Sequence, residues 1–184
     1  MSTDMGDDRR FRFKAARQGD LDALCGIYAL VNATTALVPQ RLRSVSNPAL
    51  FRAYLSHLPQ SCQLDAVQYG LEVRPLLLTA RRTLAWFSEE TGIEVTVRRA
   101  AIRGHDRGPD WHWGVIQRAC HTGVAAVIWI DGPGGAHWTV VRDIDDGALS
   151  VCDSQGWSTL HRSWFVSDQR YRLRAHKTLL LCRG

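Results

Sequence analysis

The sequence predicts an α+β protein in which N-terminal helices pack on a C-terminal antiparallel sheet. Two observations carry the prediction. As far as Gly123 the apolar residues recur mainly at three- and four-residue spacing, between recognisable helix starts and stops. From Val124 onwards the apolar residues run in short strand-like stretches, with Asp146-Gly147 marking a hairpin turn. Helices first and strands second argue for one compact α+β domain. At 184 residues the chain suits a single domain, expected over 11–184 behind a solvated tail at 1–10.

Taken in order, Phe11-Arg-Phe-Lys alternates as a short edge strand would. From Asp22 to about Leu37, residues Leu24, Ile27, Tyr28, Val31 and Thr35 trace a helix that Asp20 or Asp22 can cap. It is apolar around most of its surface and is expected in the core. Ser46-Asn47-Pro48 starts a second helix through Leu58. Leu64–Tyr69 and Pro75–Thr91 are further helices, the latter stopped by Gly92. Ile93–Arg98 alternates as a strand, Arg103–Pro109 reads as a loop, and Asp110–His121 is a helix closed by Gly123. Val124–Ile130 is a buried strand, and Gly132-Pro-Gly-Gly is expected to be irregular. Strands are expected at Ala136–Asp143, Ala148–Asp153, Trp157–Leu160 and Tyr171–Cys182.

Composition narrows the function classes. Apolar residues at 45% and charged residues at 22% are ordinary for a globular chain and exclude a disordered one. No apolar run approaches the ~20 residues that span a bilayer, so no membrane partner is expected. The five cysteines are odd in number and form no C-x-x-C pair, and Met1–Arg10 is polar. Free thiols in a reducing, cytoplasmic compartment are the expectation. His105, His112, Cys120 and His121 lack zinc-ligand spacing, so neither a metal nor another cofactor is expected. The charge is +5, nearly all of it arginine. Arginines gather at 98, 99, 103 and 107, and again at 170, 172 and 174, where strand alternation would set three cations on one face. No nucleic-acid motif accompanies them, and an acidic protein substrate or partner is the gentler reading.

The chemistry rests on four residues. Cys25 stands near the start of the first long helix, where the helix dipole favours a thiolate and unpaired N–H groups can bind an oxyanion. A lone cysteine in an apolar helix is ordinarily a core residue. His137 changes that: it begins a strand after the glycine-rich loop, where it can meet a thiol as base or as imidazolium. Asp153 follows sixteen residues later, at the end of the next, antiparallel strand, and can accept from the ring N–H. An Asp before Ser-Gln-Gly is equally a turn former. Gln18, seven residues before Cys25, can offer a side-chain amide to an oxyanion. Gly26 and Gly135 are expected to leave space beside the thiol for substrate. Trp138 can shield the His–Asp pair from water.

Gln18…Cys25-Gly, Gly-x-His137-Trp before an apolar strand, and Asp153-Ser together resemble the papain-like cysteine peptidases. The likeness is to the bacterial branch that includes the double-glycine leader peptidases of peptide exporters. It covers the helix around Cys25 and residues 124 to 160, and the helical region between matches nothing in that pattern. The resemblance implies a papain-like fold with Cys25 as nucleophile, His137 as acid/base, Asp153 as its orienting partner and Gln18 in the oxyanion hole. The family places its Gln six residues before the Cys, so either the link here bulges or Gln18 is not the donor. The implied activity is cleavage of a peptide or protein tail through a thioester. A transglutaminase-like acyl transferase on the same residues, or a non-catalytic binding module on the same fold, are the alternatives.

Overall fold

The computed structural model describes residues 18, 23–39, 42, 44–101, 108–167 and 170–184. The tail at 1–10, the strand expected at 11–14, the proposed caps Asp20 and Asp22, and residues 103–107 lie outside them.

Among the described residues the helices are α1 (Cys25–Leu37), α2 (Asn47–Ser56), α3 (Gln63–Tyr69), α4 (Val73–Thr91), α5 (Pro109–His121) and α6 (Ser163–Val166). The strands are β1 (Val95–Arg99), β2 (Ala125–Gly132), β3 (Gly135–Ile144), β4 (Ala148–Cys152), β5 (Thr159–His161), β6 (Arg172–Leu173) and β7 (Leu179–Arg183). They form one antiparallel sheet in the order β1-β7-β2-β3-β4-β5, with β6 paired to β2. The fold class is therefore α+β.

Helices cover both faces of this sheet, which explains the unbroken apolar run in β2. Ala125, Val127 and Trp129 face the core shared with α1, α2 and α4. Ala126, Ile128 and Ile130 face a second core beneath α5 and α6. A strand covered on both sides needs an apolar residue at every position. α1 is central to the first core: Ile27, Leu30, Val31 and Ala33 are fully buried. Its buried Thr34 is satisfied by the Leu30 carbonyl and by the Tyr54 hydroxyl of α2, at 2.8 and 2.7 Å.

Several elements depart from expectation. α1 begins at Cys25, three residues after the expected start at Asp22, with Leu24 at its N-cap and no side-chain cap. The Gly132–Gly135 segment is not irregular. Gly132 pairs with Gly135, so β2 and β3 run into a tight hairpin whose tip is Pro133-Gly134. The single strand expected over Tyr171–Cys182 is three pieces, β6, a 3-10 turn at Ala175–Lys177 and β7. Arg174 leaves the strand to bind Asp131 at 2.7 Å, and the three-cation face does not form. The helix α6 has too short an apolar pattern to be read from sequence.

Candidate active site

Cys25 is the first residue of α1. The first carbonyl inside the helix ladder is that of Leu24, which accepts from the N–H groups of Ile27 and Tyr28. The N–H groups of Cys25 and Gly26 therefore precede the ladder, at the positive end of the helix dipole. Residues 23 and 67 tie this end of α1 to α3, through a 2.8 Å bond from the Ala23 N–H to the Val67 carbonyl.

His137 lies on β3 three residues past the hairpin tip, and Asp153 immediately follows β4. His137 Nε2 and Asp153 Oδ2 are 2.6 Å apart, with both side chains almost completely buried. A β-bulge makes this possible. At the turn end of the hairpin Ile144 pairs with Leu149 and Asp143 with Ser150. Past the irregularity between Val141 and Asp143, Val141 pairs with Val151 and Val140 with Cys152. Uninterrupted pairing would have set Asp153 across from Val140, on the α1 face. The extra residue, Arg142, sets it across from Thr139, on the same face as His137.

With Nε2 held by Asp153, the ring's other nitrogen is left for Cys25, whose side chain is close enough to act on the imidazole electrostatically. Burial pulls the imidazole toward the neutral form. The bond and charge of Asp153, together with Cys25, outweigh it and push the His137 pKa up to about 9. Burial likewise opposes ionisation of Asp153. The His137 bond and charge and the Gln155 N–H prevail, holding its carboxyl below the usual carboxylate range. At neutral pH the pair is an imidazolium against a carboxylate.

The second oxygen of the carboxylate, Asp153 Oδ1, accepts from the backbone N–H groups of Gln155 at 2.8 Å and Trp157 at 3.3 Å. The turn this closes carries the Trp157 ring to 5.0 Å from the His137 ring. Trp157, which the sequence did not single out, is thus the aromatic residue that lies against the imidazole. Its signal was present in the spacing, four residues beyond an Asp able to close such a turn. Trp138 does something else. Fully buried on the α1 face, it donates its indole N–H to the Leu71 carbonyl at 2.8 Å and meets Trp129 edge-on.

Gly26 faces inward rather than toward open space. A Cβ there would lie 3.1 Å from Leu76 Cδ1 and 3.2 Å from Trp138 Cδ1, so it lets α1 approach the sheet and α4. Gly135 is exposed at the hairpin end, where the surroundings are open. Gln18 is brought to the site's edge: its N–H donates to the Ser154 carbonyl at 3.0 Å. Ser154 in turn donates its hydroxyl to the Gln18 amide oxygen at 3.3 Å. His112 is buried in α5 against the Thr178 hydroxyl. No group of three or more His, Cys, Asp or Glu side chains that could hold a metal occurs among the described residues. None of the described helices is long and apolar enough to cross a membrane.

No protein-family model and no curated protein matches the sequence. Among solved structures, the chain superposes on a protein from Bacillus anthracis designated a C39-like peptidase, with a TM-score of 0.56 over 96% of each chain. The fold is papain-like. Sequence identity to that protein is 11%, so it is the architecture that is shared. The Pseudomonas avirulence protein AvrPphB superposes more loosely, with a TM-score of 0.39 at 9% identity over 94% of this chain and 96% of that one. Within the papain-like fold, Cys25, His137 and Asp153 come from a helix start, a strand start and a strand end far apart in sequence.

Proposed function

We propose that this protein is a cysteine peptidase that cleaves a peptide or protein tail, with Cys25 as nucleophile, His137 as acid/base and Asp153 as the residue that orients and charges the imidazole. The observation that carries the reading is the position of His137, hydrogen-bonded to Asp153 and within electrostatic reach of Cys25 at the start of α1. Structural ion pairs are common, but one set beside a cysteine at a helix start is the arrangement of an activated nucleophile.

The Cys25 thiolate attacks the scissile carbonyl carbon, and the oxyanion that forms meets the N–H groups at the start of α1 and, in this reading, the Gln18 amide. The His137 imidazolium gives its proton to the leaving nitrogen, the C–N bond breaks and a thioester remains. Water then attacks the thioester carbonyl while His137 takes its proton. The C–S bond breaks, releasing a carboxylic acid and the thiolate. Ser154, bonded to Gln18 on one side and next to Asp153 on the other, ties Gln18 to the His137–Asp153 pair.

Alkylation of the native protein with iodoacetamide across pH 4 to 9, read at each cysteine by mass spectrometry, tests this. The other thiols serve as internal controls. Burial pushes Cys120 up to about 12 and Cys152 up to about 11, so both remain protonated and slow. Cys25 should be modified first, and His137→Ala should remove that advantage. An inert Cys25 beside a reactive Cys62 or Cys182 would overturn the assignment.

A further inference from the structure

The segment 170–177 carries Arg170, Arg172, Arg174 and Lys177 and no acidic residue. Two of these cations are already balanced, Arg174 by Asp131 and Lys177 by Glu72 at 3.0 Å. Arg170 and Arg172 are exposed, and no carboxylate among the described residues pairs with either. Their position relative to His137 gives the charge a use. Asp131 pairs with Ala136 on one side and with Arg172 on the other, so Arg172, Asp131 and Ala136 form one row across three strands. Neighbouring strands lie ~4.8 Å apart, which places the Arg172 backbone roughly 10 Å from that of Ala136, the residue before His137.

A second line of contacts runs on the other face of β6, because Tyr171 and Arg172 are neighbours along the chain and point to opposite sides. Trp157 lies against His137, Tyr171 lies 6.3 Å from Trp157, and the Arg170 guanidinium sits 5.8 Å over the Tyr171 ring. Tyr171 is held there by Gly132, where a Cβ would collide with its ring. In the reaction proposed above, His137 must touch the nitrogen that leaves. The part of the substrate beyond the cut therefore passes on the His137 side, across the rim of the hairpin, where the Trp157–Tyr171 surface meets the edge of β6 that carries Arg172. An extended chain advances ~3.4 Å per residue, so its second to fourth residues after the cut come within reach of Arg172 and Arg170.

We infer that Arg170 and Arg172 form an anion-binding subsite for the leaving side of the substrate, selecting Asp or Glu two to four residues after the cut. The inference rests on the peptidase reading. Exposed charges on a mobile peptide contribute modestly, about 1.5- to 5-fold in kcat/KM for each ion pair. The preference is therefore expected at low salt and weakened at 0.5 M.

The test is cleavage of a proteome-derived peptide library by the wild-type protein, by Arg170→Glu and by the double variant Arg170→Glu/Arg172→Glu, with cut sites read by mass spectrometry. Wild type should enrich Asp and Glu at the second to fourth positions after the cut. The double variant should deplete them and favour Lys and Arg, with Arg170→Glu in between. Arg170 lies outside any strand, so its replacement leaves the β2–β6 pairing untouched. Cleavage without acidic enrichment, or with an enrichment that the double variant retains, overturns the subsite and leaves the peptidase reading standing. No cleavage by wild type beyond that of Cys25→Ala overturns the peptidase reading, and the subsite falls with it.

Discussion

Asp153 closes the turn that brings Trp157 to His137: one carboxylate oxygen accepts the Trp157 backbone N–H at 3.3 Å, while the other holds the imidazole that the indole ring covers. Bonding and shielding of His137 thus depend on a single side chain. An asparagine has one acceptor oxygen and one donor nitrogen, so it cannot do both. If its oxygen keeps the turn, its N–H groups face His137 Nε2 and enforce the wrong tautomer. If its oxygen faces His137, the turn loses its acceptor. Asp153→Asn should therefore lower kcat/KM by ~10² while the protein remains folded, less than Cys25→Ala, which should abolish turnover. Full activity in Asp153→Asn, measured on any cleaved library peptide, would remove Asp153 from the site.

In the proposed reaction the Trp157 ring, which lies against His137, keeps water from the ion pair. Trp157→Ala should bring His137 back toward the ordinary imidazole range and move the alkaline limb of the pH–activity profile downward, with rate losses of ~10-fold. Trp157→Phe should restore most of the profile, because a ring of nearly the same reach still covers the imidazole. An alkaline limb that stays in place in Trp157→Ala would show that shielding has no role.

The pair also predicts how stability depends on pH. The folded protein holds the His137 proton more tightly than the unfolded chain, with a pKa of about 9 against 6.5. Its contribution is complete below about pH 6.5 and is lost as pH rises through about 9. Asp153 acts at the other end, since its carboxyl is lowered from 3.8. Its contribution is complete above that value and is lost as pH falls. The Tm advantage of wild type over His137→Gln should be largest between about pH 5 and 6.5 and should fade toward pH 10. An advantage that grows with pH above 7 would contradict the assignment.

Gly26→Ala sets two effects against each other. Alanine favours a helix by up to about 1 kcal/mol, but its methyl group meets Leu76 at 3.1 Å and Trp138 at 3.2 Å. Trp138 is pinned by the Leu71 carbonyl and by Trp129, so it has little freedom to yield. Overpacking should win, with a net destabilisation of about 1 kcal/mol in denaturant unfolding. Trp138→Phe should cost more, about 1–3 kcal/mol, because it leaves the Leu71 carbonyl without its donor. A stabilised Gly26→Ala would mean that α1 can shift away from the sheet.

The pairing of His137 with Asp153 and the place of Cys25 at a helix start were legible because each stands at the end of an element whose period is strong. The α+β class was legible because turn and cap residues punctuate those elements. The bulge at Arg142 was hidden for a physical reason. β3 is buried on both faces, so Val140 and Val141 are both apolar and no alternation reports which side each one faces. The broken strand after Tyr171 was hidden because tertiary partners break it. Arg174 turns to Asp131, and Lys177 turns to Glu72 and the Trp129 ring, and none of these partners is close in sequence. Adjacency in sequence suggests that Trp138 shields His137, but neighbours along a strand face opposite sides, and it is Trp157 that lies against the imidazole.

The bulge gives the site a dependence on counting. His137 and Asp153 share a face because the bulge takes up the odd residue, Arg142, in the chain between them. Removing Arg142 would leave an unbroken ladder with Asp153 still across from Thr139, so the bulge answers to the count of residues in the hairpin. Deleting Arg142 should therefore leave the His137–Asp153 pair and kcat/KM largely in place, and a loss of activity would show that the bulge does more than take up the odd residue. The length of the hairpin and its bulge are thus two halves of one constraint, which holds Asp153 on the face of His137.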